Sequence, residues 1–408
     1  MQAEDLYEQL LKCCEGKTAA IRAVTRLVPV GGPGDKVCPP TYEGGQYAFE
    51  DRLIDGQPVR TVLLDSVQSQ ANRLEELLLN AVRNSELHLP VFEITIPGHG
   101  TLTSLDVPHR VHDAIFRDST WGESPFRGSP DGRRLVEARA WNATAFYEFC
   151  PTALLFGTWD SQSGAGVNSA KIPRALVSEI VGLHAVDGKR TASRIDPLGI
   201  KRMPRVIYRH ATDMWTLDRE QAVQTDGNPQ LFGEDGKPSD INHGNVTPAI
   251  TKEKVEKGRR KIEIPGGVTF REAQQTTVLS FTQLRRLHFP EGDRQPALDR
   301  NIAGRAVLAA LALYAITLQW EDGYQLRSRC QLVPAKTPQL EFIGETTPGV
   351  EPFPLDSNKA RATLELAQVG AEAKVLRWHS GPIKLTPTLK LLRLVQMSDQ
   401  LTEVPEEE

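Results

Sequence analysis

The chain has 408 residues, 39% of them hydrophobic and 25% charged, which suits one elaborated folded domain or two to three smaller ones. A formal net charge of −4 excludes an all-over basic nucleic-acid coat, so any nucleic-acid site has to be a local stripe on a mixed surface. Five scattered cysteines without a CxxC pair argue against zinc and for a reduced, cytoplasmic setting. The N-terminus lacks the apolar core of a signal peptide, and the longest apolar run, residues 306–318, is too short to span a bilayer.

In chain order, residues 5–14 read as a short helix and 19–28 as a strand, with Ile21, Ala23 and Leu27 on one face and Arg22 and Arg26 on the other. The Gly31-Gly32-Pro33-Gly34 break lacks P-loop spacing. A charge-mixed loop through Asp55-Gly56 leads to an amphipathic helix over 61–83. Its apolar stripe is Leu63, Val67, Leu74, Leu77, Leu78 and Ala81, and Ser66, Gln70 and Arg73 share the polar face, flanked by Ser69 and Asn72. That face is unusually neutral and rich in hydrogen-bonding groups. Residues 98–134 read as loops and short helices, 135–149 as a helix, and 153–158 and 176–185 as buried strands. Basic residues dominate 189–209, and the polar stretch 218–267 reads as a long projecting loop or hairpin. A very hydrophobic helix over 301–319 precedes a strand over 324–333, in which Leu326, Cys330 and Leu332 alternate with Arg327, Arg329 and Gln331. Two weaker segments, 360–378 and 388–397, precede an acidic end. Strand, helix, strands, helix and strand, with large insertions, suit an α+β core of ferredoxin-like or RRM-like type.

Two kinds of chemistry compete for the polar residues. His109, His112 and Asp113 sit close together, but nothing in the sequence nominates further metal ligands or a general base, and no hydrolase motif is present. The expectation is no catalysis, no metal and no cofactor. Arg22, Arg26, Arg73, Arg110, Arg117, Lys171, Arg174, Arg285, Arg286, Arg327 and Arg329 are spread along the chain. Each singly reads as a surface or salt-bridge residue. Together, on the first and last strands and the first long helix, they read as a groove that tracks phosphates.

Six words, in order from about residue 18 to 333, resemble one family. They are residues 63–76 (LLDSVQSQANRLEE), 108–119, 155–161 (LFGTWDS), 174–182, 238–245 (PSDINHGN) and 326–330. The resemblance is to the RAMP-superfamily backbone subunit of the type I-G (formerly I-U) CRISPR Cascade complex. It implies an RRM-like (ferredoxin-like) palm with a helical finger insertion and a hairpin thumb. It also implies a cytoplasmic, non-catalytic subunit that binds guide RNA (crRNA), stacks head to tail with further copies of itself and other Cascade subunits, and presents the guide to a target DNA strand. On this chain the palm falls at 1–97 (with the guide-contacting helix), 135–200 and 268–334. The finger falls at 98–134, the thumb at 201–267 and a C-terminal extension at 335–408. The expected RNA contacts are all eleven of the arginines and lysine named above, with Ser66, Gln68, Ser69, Gln70, Asn72, His109, Asn242, His243 and Asn245. An endoribonuclease of the same superfamily is the alternative.

Overall fold

Strand β1 (Thr18–Pro29) buries Ile21, Ala23, Thr25 and Leu27 on one face and turns Arg22, Val24 and Arg26 to the other, as its alternation requires. In the computed structural model, residues 1–160, 171–195, 197–198, 206–241, 246–251, 254–255, 261–262, 266–292, 297–344 and 351–403 are described. The fold is mixed α and β. Two units are present: one of Met1–Asp35, Glu50–His184 and Phe270–Glu408, the other of Lys36–Phe49 and Ala185–Thr269.

The first unit is built on an antiparallel sheet. Its strands are β1, β2 (Phe49–Ile54), β3 (Gln57–Asp65), and, after the short strands named below, β10 (Leu176–Leu183), β11 (Glu272–Ser280), β12 (Tyr324–Arg327), β13 (Cys330–Pro334) and β14 (Glu341–Gly344). They lie in the order β2-β3-β10-β11-β1-β13-β12, and β14 pairs with the other half of the same edge of β1. Helices α1 (Ala3–Glu15), α2 (Val67–Arg83), α8 (Leu298–Asp322) and α9 (Ser357–Glu372) pack together, and α8 touches all of the other three. Between α2 and α8 run five short helices: α3 (Ala114–Arg117), α4 (Pro130–Glu137), α5 (Thr144–Phe149), α6 (Thr152–Phe156) and α7 (Phe281–Leu284). Helix α8 is apolar all round because it is buried on nearly every side. Among the described residues it is the helix long and apolar enough to cross a membrane, and 89% of that apolar window lies inside the protein.

Four sequence expectations change. Residues 57–65 form a strand, so α2 begins at Val67 and not near residue 61; β2 and β3 are a hairpin whose Asp55-Gly56 turn has φ values of 49° and 77°. The helix expected over 135–149 is two helices, α4 and α5. The buried run after Pro151 is α6, a helix where a strand was expected, ended by Gly157 at φ 81°; short apolar runs do not carry enough period to separate the two. The last strand is a hairpin, β12 and β13, with Arg329 at φ 56° in its turn.

A second sheet has the order β5-β4-β15-β6-β7, made of β4 (Phe92–Ile96), β5 (Gly100–Thr103), β6 (Ser119–Trp121), β7 (Ser124–Pro125) and β15 (Ile383–Pro387). Strand β15 pairs in parallel with β4 and antiparallel with β6, so the C-terminal segment is the middle of this sheet. Phe92, Trp121 and Phe126 close its core, with Phe92 edge-on to both others at centroid distances of 5.4 and 5.6 Å.

The second unit is built of short antiparallel pairs: Val186–Asp187 with Val268–Thr269, Arg190–Arg194 with Val246–Thr251, Tyr208–Arg209 with Trp215–Thr216, Gln224–Thr225 with Asn228–Pro229, and Lys254–Val255 with Lys261–Ile262. It has few large apolar groups to bury, as the polar sequence requires.

Because β15 is central, a chain ending at residue 380 leaves β4 and β6 with unpaired inner edges. Such a truncation is expected to melt well below the full chain and to aggregate on concentration, checked by thermal denaturation and light scattering; an unchanged melt would refute the central role of β15.

Candidate nucleic-acid interface

Helix α2 is held from below by a buried carboxylate. Ser66 caps its N-terminus, with its Oγ accepting from Ser69 N at 3.3 Å. Asp65, at 0% exposure, accepts from Ser69 Oγ (2.8 Å), Gln70 Nε2 (2.7 Å), Arg73 Nε (2.9 Å) and an Arg327 Nη (3.2 Å). Arg73 also donates to the Gln325 carbonyl (3.3 Å) and the Leu326 carbonyl, and Arg327 donates to the Leu64 carbonyl (2.8 Å). Gln70 Oε1 in turn accepts from Ser178 Oγ (3.0 Å) and Gln275 Nε2 (2.9 Å), and Tyr324 Oη donates to Gln275 Oε1 at 2.6 Å. The polar face of α2 is therefore largely internal. Gln70 is fully buried and has no surface to offer a phosphate, which corrects the expectation for it, while Arg73 and Arg327 fasten the β12–β13 hairpin to α2.

One helical turn further on, a second buried pair supports the exposed groups. Glu75 and Arg110, both under 10% exposed, meet through two bonds of 2.6 and 2.7 Å, and Arg110 Nη1 donates to the Gly157 carbonyl at 3.0 Å. Arg110 has φ 50°, a left-handed conformation held by these three bonds. Burial pushes the Glu75 carboxyl up to about 7, against the pull of the Arg110 and Arg174 charges. Arg110 is thus an internal strut and not a free phosphate ligand, a second correction. Gly157 is needed where it stands: at φ 81°, a Cβ would lie 3.0 Å from Arg174 Cγ and 3.0 Å from the Ile172 carbonyl oxygen.

That close approach sets Arg174 beside the pair. Partial burial and the Arg110 charge both pull the Arg174 guanidinium down from its ordinary value. Arg110 binds both oxygens of Glu75, so the neighbouring Arg174 guanidinium brings a further positive charge to this surface. Strands β8 (Thr158–Trp159) and β9 (Lys171–Ile172) add exposed Lys171, whose Nζ lies 5.8 Å from the Trp159 ring centroid. His109 is exposed next to Arg110. Gln68 and Asn72 are exposed on α2 at seven and three residues before Glu75, on the same helix face.

The remaining expected contacts do not join this cluster in one groove. Strand β1 is central rather than an edge, and its arginines are paired, Arg22 with Glu341 at 2.6 Å and Arg26 with Glu272 at 2.5 Å. Arg285 donates to the Cys13 and Thr18 carbonyls (3.0 and 2.9 Å), where it closes the end of α1; Arg286 is exposed after α7, Arg117 is half-buried on α3, and Arg329 is exposed in its turn. Asn242, His243 and Asn245 lie outside the described residues.

The His109–Asp113 stretch is divided among different tasks. His112 is 8% exposed and edge-on to Phe146 at 5.7 Å, whereas His109 faces solvent; Asp113 Oδ1 accepts from Ile115 N at 3.1 Å as the cap of α3. Among the described residues, no group of three or more His, Cys, Asp and Glu side chains could hold a metal ion. Burial, then the Arg127 and Arg139 charges, push the His112 imidazole well below its ordinary value of 6.5, against the pull of Asp160. Sequence reasoning missed Asp65, Glu75 and Trp159. The first two are acids inside an apolar-periodic stretch, and only the arginines that reach them from 327 and 110 reveal their role.

Two outcomes follow. Arg73→Ala leaves Asp65 buried with one cation fewer and should cost about 3–5 kcal/mol in denaturant unfolding; a change within 0.5 kcal/mol of wild type would refute the internal role. Below pH 6.5, unfolded His112 gains a proton that folded His112 does not, so its share of stability is lost as the pH falls. Glu75 works in the opposite sense, its folded carboxyl holding a proton up to about pH 7. His112→Gln should therefore lose less stability than wild type between pH 7 and pH 5, read from urea unfolding at the two values; an identical loss would remove His112 from the account.

Residues 21–186 match the family model for CRISPR-associated protein GSU0053. No curated protein is matched. The family match covers less than half of the chain and marks residues 21–186 as similar to a CRISPR-associated family of the RAMP type I-G (I-U) kind, one that implies a role in CRISPR defence.

Proposed function

We propose that the chain is the guide-RNA-binding backbone subunit of a type I-G Cascade complex, cytoplasmic and non-catalytic, which stacks head to tail along the spacer and presents it to target DNA. The observation that carries this reading is the cluster around Arg110: an excess of positive charge on a rigid support, with exposed Arg174, Lys171, His109, Gln68 and Asn72, in the part of the chain that matches the family. A planar guanidinium and an ammonium suit phosphate, and the neutral amides suit sugar and phosphate oxygens. The strand order supports an RRM-like palm. Strands β10-β11-β1-β13 are neighbours in that order, α2 lies between β1 and β10 in sequence, and α8 between β11 and β12, which is the split βαβ arrangement. The paired arginines on β1 favour a guide path along α2 and the β8–β9 strands over one across the open sheet face. The pairing of Arg190–Arg194 with Val246–Thr251 supports a projecting thumb whose first strand lies ahead of the expected 201–267, and 98–134 is the proposed finger.

Binding by phosphate contacts is insensitive to spacer sequence and weakens with salt. Arg174→Ala should lower affinity about equally for unrelated spacers and reduce the salt slope by about one. Co-expression with a guide should yield a large particle holding several copies, since a head-to-tail contact that does not close makes an open helix. The same particles, incubated with magnesium or manganese, should leave guide, target RNA and target DNA intact. A one-to-one protein–RNA complex at every spacer length would overturn the assembly, and cleavage lost in a His109→Ala/His112→Ala/Asp113→Ala variant would favour the endoribonuclease reading.

A further inference from the structure

We infer that Trp159 is a base-stacking platform, on which one unpaired nucleobase of the bound RNA lies against the indole. The inference rests on the reading of the chain as an RNA-binding subunit and adds a contact of a different chemical kind, to a base and not to phosphate. Trp159 is 58% exposed, unlike Phe116, Phe126, Phe146, Phe149 and Phe156, the rings of the same region that are buried in the core. A large apolar ring left in water has an unfavourable hydration that a π-face would relieve.

Its surroundings select the partner. Lys171 is paired with it in register across β8–β9 and reaches the ring at 5.8 Å, and Arg174 lies two residues beyond Ile172 against Gly157. An indole flanked by cations matches a strand that alternates bases with phosphates. The platform is also fixed. The Gly157 carbonyl is held by Arg110, which Glu75 holds in turn, and on the other side of Trp159 the Asp160 carboxylate is bound by Arg127 at 2.6 Å. A ring held on both flanks loses little further freedom on stacking. Stacking is indifferent to base identity, so this contact fits a spacer of any sequence.

The test uses the full-length chain, an unstructured single-stranded RNA, and an abasic ribose-phosphate strand of equal length, with affinities read by fluorescence anisotropy. Trp159→Ala should weaken RNA binding about 5- to 100-fold with an unchanged salt slope, and Trp159→Phe should stay within about threefold of wild type. On the abasic strand, wild type and Trp159→Ala should bind alike. The difference between wild-type and Trp159→Phe emission should be quenched by RNA and not by the abasic strand, a readout that stands even if the alanine variant folds poorly. Undiminished RNA binding by Trp159→Ala, or equal losses on both strands, would overturn stacking while leaving the RNA-binding reading in place. Normal affinity for RNA with lost self-assembly would assign Trp159 to a protein contact and overturn it as well. No RNA binding by wild type would sink the functional reading, and this inference with it.

Discussion

The fully buried Asp65 carboxylate is the constraint on which the first unit depends. A carboxylate taken out of water is costly unless it is paired and fully hydrogen-bonded. Here the partners come from two places: Ser69, Gln70 and Arg73 on the first turns of α2, and Arg327 from the end of β12. Meeting that requirement fixes the start of α2 against β3 and draws in a hairpin more than 250 residues away. Gln70 then extends the network to Ser178 on β10 and Gln275 on β11, and Tyr324 closes it from β12. Polar groups inside the fold thus set which strands neighbour which helix, a specificity that apolar contacts alone supply less sharply.

The Glu75–Arg110 pair has a comparable role for the candidate site. It joins α2 to the turn at 110–112 and, through the Gly157 carbonyl, to β8. Of the exposed residues, Gln68 and Asn72 project from α2 and His109 adjoins the anchored turn. A binding surface supported so closely loses less freedom when it engages a ligand than one that must first be ordered.

The sequence made much of this fold legible, and the failures have physical causes. The alternation of β1, the apolar face of α2 and the all-apolar α8 were readable because each runs long enough to display its period. The Asp55-Gly56 pair is a strong hairpin signal, and it places the strand β3 where the expected helix begins at residue 61. Residues 152–156 were ambiguous because five buried residues fit a helix or a strand equally. At the site, Gln68, Asn72, His109, Lys171 and Arg174 were named from their chemistry and are exposed, whereas Gln70, Arg73, Arg110 and Arg327 were named on the same grounds and serve the interior. An arginine alone does not reveal whether its partner will be a phosphate or an internal acid. The difference lies in whether an acid distant in sequence folds against it.

That distinction also reconciles the proposed site for a polyanion with a net charge of −4. Overall charge acts at long range and is screened within about 10 Å at ordinary ionic strength, so what a phosphate senses is the local balance. On β1 the balance is even, with Arg22 facing Glu341 and Arg26 facing Glu272. Around Gly157 the balance differs: Arg110 binds both oxygens of Glu75, Arg174 stands beside that pair, and Lys171 adds a further charge on the adjoining strand. On the proposed reading the paired acids limit where an RNA settles, since a path across the β1 arginines must break ion pairs before it gains contacts. On the proposed reading, a mixed surface with a local cationic cluster suits holding a strand in one register better than a uniformly basic surface, on which every path is favourable.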